Sequence, residues 1–149
     1  MAVPDPKWLL REAMSAMAKG DGLVYMDEAV PALTEFVREF AAPEFSCTMH
    51  GLPPTPPTTF RGIDGFQRGW EDYASAFERV RAELYEIRES PEHLVVLVNQ
   101  VAVTRHGGVE MTQPSAIVFA FEGDRIFGVE FHLDHAAALR AGGLEPEGS

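Results

Sequence analysis

Between Arg79 and Asp134 the chain is cut by turn signals at Ser90-Pro91, at His106-Gly107-Gly108 and near Gly123-Asp124. The intervals read as four strands, roughly Arg79–Glu89, Leu94–Arg105, Val109–Phe121 and Ile126–Asp134. The second carries seven Val or Leu residues, and the glycine pair after it suits a hairpin. Strands joined by turns this short pair as an antiparallel meander, and an antiparallel sheet needs cover on at least one face.

The first half of the chain supplies that cover. Asp5 before Pro6 starts a helix: an N-cap, then a residue whose missing N–H costs nothing there. Trp8, Leu9, Ala13, Ala16 and Met17 form its apolar face, and Gly20-Asp21-Gly22 ends it. A second helix begins between Asp27 and Pro31, with Val30, Leu33, Val37 and Phe40 on one face, and stops at Ala42-Pro43. Glu44 to His50 reads as a short strand. The stretch from Gly51 to Thr59, rich in proline, is a surface connector. A third helix from Ile63 presents Phe66, Trp70, Tyr73 or Ala74, and Phe77 on one face. Asp134 caps a short final helix that runs to Gly142-Gly143. Helices segregated to one face of a curled sheet make the fold class α+β.

Composition excludes more than it identifies. The chain of 149 residues fits one domain, with an ordered core from about residue 5 to 144. The net charge of −11, with 12 scattered basic residues, argues against a nucleic-acid partner. No apolar run approaches the ~18 residues of a membrane span, and the N-terminus has no signal-peptide pattern. The single Cys47 cannot form an internal disulfide, so a reducing compartment is expected and the reading is cytoplasmic. No helical His pair at i, i+4 and no second thiol accompany the five histidines, so no metal is expected. Neither a phosphate-cradling glycine loop nor a nucleophile elbow occurs, so no cofactor is expected either.

Two segments carry a family resemblance. Phe60-Arg61-Gly62-Ile63-Asp64-Gly65-Phe66 leads into the third helix, and Phe121-Glu122-Gly123-Asp124-Arg125-Ile126 to Phe131-His132-Leu133-Asp134-His135 closes the last hairpin onto the final helix. In order and spacing these resemble the SnoaL-like branch of the nuclear transport factor 2-like superfamily, over about Trp8 to Leu144. The resemblance implies a cone: three N-terminal helices packed on a curved, mostly antiparallel sheet, a short C-terminal helix, and one deep apolar pocket. It also implies a homodimer joined through the outer face of the sheet. One departure is the inserted Leu23-Val24-Tyr25-Met26, placed in the linker or extending the second helix.

Chemistry in this superfamily rests on carboxylates or a base in the pocket, where desolvation tunes the pKa. The position of the cyclase acid, three before Asp134, holds Phe131. The Arg-x-Asp of the epoxide hydrolases is replaced by Gln100 and Ala102, so that activity is not expected. The steroid isomerase places its base at the end of the first strand, where this chain has His50. Parity puts His132 and Glu130 on the opposite side of their strand from Phe131, where a dimer contact or solvent exposure is expected; a bulge near the Gly123 turn would bring His132 inward, which makes it the second candidate base. The candidate pocket wall comprises Tyr25, Phe66, Trp70, Tyr73, Phe77, Gln100, Gln113, Phe119 and Phe131. Two readings follow. One is a protein that binds a small apolar ligand, polycyclic or aromatic, and catalyses cyclisation or isomerisation with a His base and Tyr73 or Gln100 at the oxyanion. The other is a non-catalytic binding or structural dimer without the family acids.

Overall fold

The computed structural model describes residues 5–17, 23–51, 56–75 and 77–145, with backbone alone for 17 and 23–27. The elements, in chain order, are α1 (Pro6–Met17), β1 (Leu23–Tyr25), α2 (Met26–Phe40), β2 (Ala41–Met49), β3 (Thr58–Arg61), α3 (Gly62–Ala74), β4 (Phe77–Ser90), β5 (His93–Thr104), β6 (Glu110–Glu122), β7 (Arg125–His132) and α4 (His135–Ala141). The strands make one sheet in the order β1-β4-β5-β6-β7-β2-β3. The meander β4 to β7 is antiparallel throughout, as expected. Among the described residues only β2 against β7 is parallel, with Thr48 opposite Glu130 and Met49 opposite Phe131.

Alternation along the strands separates two apolar layers. Leu94, Val96, Val98, Ile117 and Phe119 face inward and pack with Leu10, Leu33, Val37, Phe66 and Trp70 from α1, α2 and α3. The residues between them, Val95, Leu97, Ala116 and Val118, pack instead with Ala138 and Leu139 of α4. The helices therefore do not all lie on one face: α4 covers part of the outer face. Its start is held by Asp134, whose carboxylate accepts from the Ala136 N–H at 3.3 Å. Its end lies hard against β5. A Cβ on Gly142 would come within 2.4 Å of Val95 Cγ2, so only glycine permits this approach.

The motif that opens α3 has a packing reason too. Cβ atoms added at Gly65 and Gly69 would lie 3.0 and 3.1 Å from Phe60, so the two glycines let α3 lie directly on β3. Other expectations shift. The inserted Leu23–Tyr25 is neither linker nor helix but an edge strand antiparallel to β4. Thr58 and Thr59, expected in the connector, pair in β3 with β2. Phe77 belongs to β4, because α3 ends before Ser75 and the helical spacing does not continue through it. On α1 the buried positions are Pro6, Leu10 and Met14, each one turn from the next, while Trp8 is 55% exposed.

Candidate functional site

A cavity of about 710 Å³ opens between α2, α3 and the adjoining stretches of β4 and β5. One edge is aromatic: Trp70, Tyr73 and Phe77 line it, with Trp70 and Tyr73 edge to face at 6.2 Å and Tyr73 and Phe77 at 5.5 Å. Phe131 stands behind them, 5.0 Å from Trp70 and 5.3 Å from Tyr73, as part of the core.

A polar chain runs into this aromatic edge from the sheet. The Ser115 hydroxyl donates to Gln100 Oε1 at 3.3 Å, and the Gln100 amide donates to the Tyr73 oxygen at 2.5 Å. Gln100 and Ser115 are buried, so this chain fixes the orientation of Tyr73. Burial raises the Tyr73 hydroxyl above its usual 10.0, against the opposing effect of the Gln100 hydrogen bond. The phenol is therefore neutral at physiological pH. Because its oxygen accepts from Gln100, its own hydrogen is left to donate.

Charge around the cavity departs from that of the whole chain. Arg38, Arg79, Arg81 and Arg105 line it against Glu35, Glu71 and Glu78, whereas the chain as a whole is strongly acidic. Among the described residues, Arg81 Nε and Trp70 Nε1 are buried N–H groups with no hydrogen-bond partner. No histidine lines the cavity.

The two expected bases lie elsewhere. Cys47 and Met49 point into the inner core, so His50 falls on the outer face, and the parallel register brings it beside β7. Its Nε2 is 2.7 Å from Glu130 Oε1, and its ring stacks on that of His132 at 4.2 Å and 9°. His132 Nε2 lies 3.4 Å from the same Glu130 oxygen, yet it is buried and has no hydrogen-bond partner among the described residues. The imidazoles, His132 before His50, hold the Glu130 carboxyl below its usual 4.5 against the opposing effect of burial. His135 does not join the cluster. Its Nε2 sits 2.8 Å from the Val98 carbonyl and 3.1 Å from that of Ser115, and with two acceptors as neighbours it carries the hydrogen.

His50 is not brought together with Tyr73 or Gln100: strand parity puts His50 on the outer face of the sheet and the other two on the inner. Of the expected pocket wall, Trp70, Tyr73 and Phe77 line the cavity and Gln100 supports it from behind. Phe66, Phe119 and Phe131 are core residues, packed where helices and sheet meet. Gln113 spends its amide on the carbonyls of Leu133 and Pro114, at 3.0 and 3.1 Å. The side chain of Tyr25 lies outside the described residues. Glu130 was not foreseen as part of a candidate site, because its partner His50 is 80 residues away.

The profile of the SnoaL-like domain matches residues 25–129. The chain belongs to the SnoaL-like family. No curated protein matches its sequence significantly. Among solved structures it is similar to an NTF2-like protein of unknown function from Burkholderia pseudomallei (21% identity, 93% of this chain and 97% of that one, TM-score 0.62). It is also similar to TerC co-crystallised with polyporic acid (16% identity, 89% and 95%, TM-score 0.59). A third is a protein with a ketosteroid isomerase-like fold from Catenulispora acidiphila in complex with trimethylamine (13% identity, 96% and 95%, TM-score 0.55). At these identities the likeness shows the fold alone. Among the described residues no helix is long and apolar enough to cross a membrane.

Proposed function

We propose that this SnoaL-like protein binds a small, flat, largely apolar molecule, aromatic or polycyclic, in the cavity between α2, α3 and β4–β5. The observation that carries this reading is the pairing of an aromatic edge with one oriented hydroxyl. Trp70, Tyr73 and Phe77 offer ring faces and edges, and Tyr73, fixed by Gln100, offers a hydrogen to an oxygen of the ligand. Arg81, whose buried Nε has no hydrogen-bond partner among the described residues, favours a ligand that bears an accepting oxygen. TerC, which shares the fold, was co-crystallised with an acid, and this chain's lining is compatible with such a guest.

The reading is binding rather than turnover. The position of the family acid is Phe131, no histidine lines the cavity, and the three glutamates of the lining are exposed rather than desolvated. A cyclisation or isomerisation with His50 as base draws no support from this arrangement. Homodimerisation remains part of the proposal, tested by whether light scattering gives twice the chain mass.

Trp70 provides the test. In a Trp8→Phe background the remaining tryptophan lines the cavity, so titration with anilinonaphthalene sulfonate, a polycyclic aromatic anion, should quench it saturably at one equivalent. Absence of saturable quenching with this dye and with a panel of naphthoquinones would overturn the proposal.

A further inference from the structure

We propose that His50, Glu130 and His132 bind one divalent transition-metal ion of the zinc class on the outer face of the sheet. The site is separate from the cavity and does not depend on the reading above. Its donors are two imidazole Nε2 atoms and one carboxylate oxygen, the nitrogen and oxygen mixture that zinc and ferrous ions take from proteins.

The spacing is near that of such an ion, with the His50–Glu130 pair still at hydrogen-bond distance. All three donor atoms lie within 4.8 Å of one another, and Glu130 Oε1 is 2.7 and 3.4 Å from the two Nε2 atoms. Metal–ligand bonds of ~2.0–2.2 Å set neighbouring donors about 2.9–3.4 Å apart around one ion.

An independent observation comes from His132. Its side chain is only 8% exposed, and its Nε2 has no hydrogen-bond partner although it faces the Glu130 carboxylate. Buried polar atoms without partners are rare, and a cation between Nε2 and Oε1 would occupy this one.

The two rings stack nearly parallel, so their Nε2 lone pairs run side by side rather than converging. Coordination therefore requires one ring to turn. His50 is the one able to do so: its side chain is 31% exposed and it follows the last residue of β2, while its backbone N–H stays fixed on the Phe131 carbonyl at 2.8 Å. In the single chain Glu130 is 40% exposed and the site is open, and three protein ligands leave at least one further coordination position. Any proton on the two Nε2 atoms leaves as the ion binds. The acidic chain as a whole attracts cations.

Untagged protein stripped with chelator and titrated calorimetrically with Zn²⁺ should bind one ion per chain. Glu130→Gln and His50→Ala should each weaken binding by ~100-fold or more, beyond what loss of a supporting hydrogen bond costs. Because His132 is buried, the decisive variants are these two half-exposed partners, with circular dichroism to show that each is folded. Co²⁺ supplies a second readout: visible ligand-field bands in the parent that vanish in Glu130→Gln. Equal Zn²⁺ affinity in the parent and in the His50→Ala/Glu130→Gln double variant would overturn the site, as would a Co²⁺ spectrum indifferent to Glu130.

Discussion

Tyr73–Gln100–Ser115 and His50–Glu130–His132 are both polar trios that tie separate elements together, one on each face of the same sheet. The inner trio is a relay among uncharged groups, in which each donor meets an acceptor and one hydroxyl hydrogen is left for a guest. The outer trio is titratable, half open to solvent, and has a buried nitrogen to spare. A neutral, satisfied network inside a core orients groups and specifies one arrangement. An unsatisfied one beside solvent is suited to a cation. The aromatic cavity and the histidine pair are thus separated by the sheet and present different groups, one a neutral hydroxyl and the other imidazoles with a carboxylate.

The largest expected effect falls on the inner side. Trp70→Ala should cost about 3–5 kcal/mol, by loss of a large buried ring and the space left behind. That is a fall in melting temperature of roughly 10 °C for a domain of this size. Metal-free Glu130→Gln, on the half-exposed outer trio, should stay within ~1 kcal/mol. Similar losses from the two substitutions in thermal melts would break the comparison.

Next comes occupancy of the cavity. Thr34→Trp adds bulk at the middle of the α2 face that lines the cavity, between Val30 and Arg38, and should abolish dye binding, while the Zn²⁺ titration is unaltered. Loss of both together would mean that the two faces are one site. Smaller again, Tyr73→Phe removes the hydroxyl that Gln100 orients and should weaken a ligand bearing oxygen by about tenfold, the value of one hydrogen bond. A purely hydrocarbon ligand should bind the parent and the variant alike, which separates the hydroxyl's role from that of the ring.

A last effect is seen only in alkali. Burial pushes the Cys47 thiol from 9.0 up to about 12. Between those values the folded chain holds a proton that the unfolded chain has released, so stability falls as pH rises from about 9 and is unaffected by this group below that. Tyr73, also raised by burial, adds a loss of the same sign above pH 10. Urea midpoints at pH 8 and about pH 10.5 should diverge less in Cys47→Ala than in the parent. Native protein at pH 8 should also resist alkylation at this thiol.

Much of the fold was legible because its signals are local. Turn residues marked the meander, Asp134 marked α4, and the apolar spacing of α2 and α3 located their buried faces. What escaped was set by contacts distant in sequence. A three-residue edge strand such as Leu23–Tyr25 is too short to show a period, and β3 is hidden behind prolines. Phe77 continues the spacing of α3 by seven residues, yet the chain has already turned at Ser75. Tyr73 and Gln100 were legible as candidates because aromatic and amide side chains stand out on otherwise apolar faces. Their hydrogen bond was not, because it needs the distance between α3 and β5. The outer trio was least legible of all: parity placed Glu130 and His132 away from the cavity, but nothing local announces that β2 runs parallel to β7.

That parallel pairing also bears on how the chain is made. A strand completed by Met49 must wait for Arg125–His132 to emerge before its sheet neighbour exists. Until then β2 and β3, with α3 packed on them, keep an open hydrogen-bonding edge, the kind of surface on which nascent chains recruit one another. Closing so wide a loop is slow, so β2 is expected to be the last strand to dock as the protein folds.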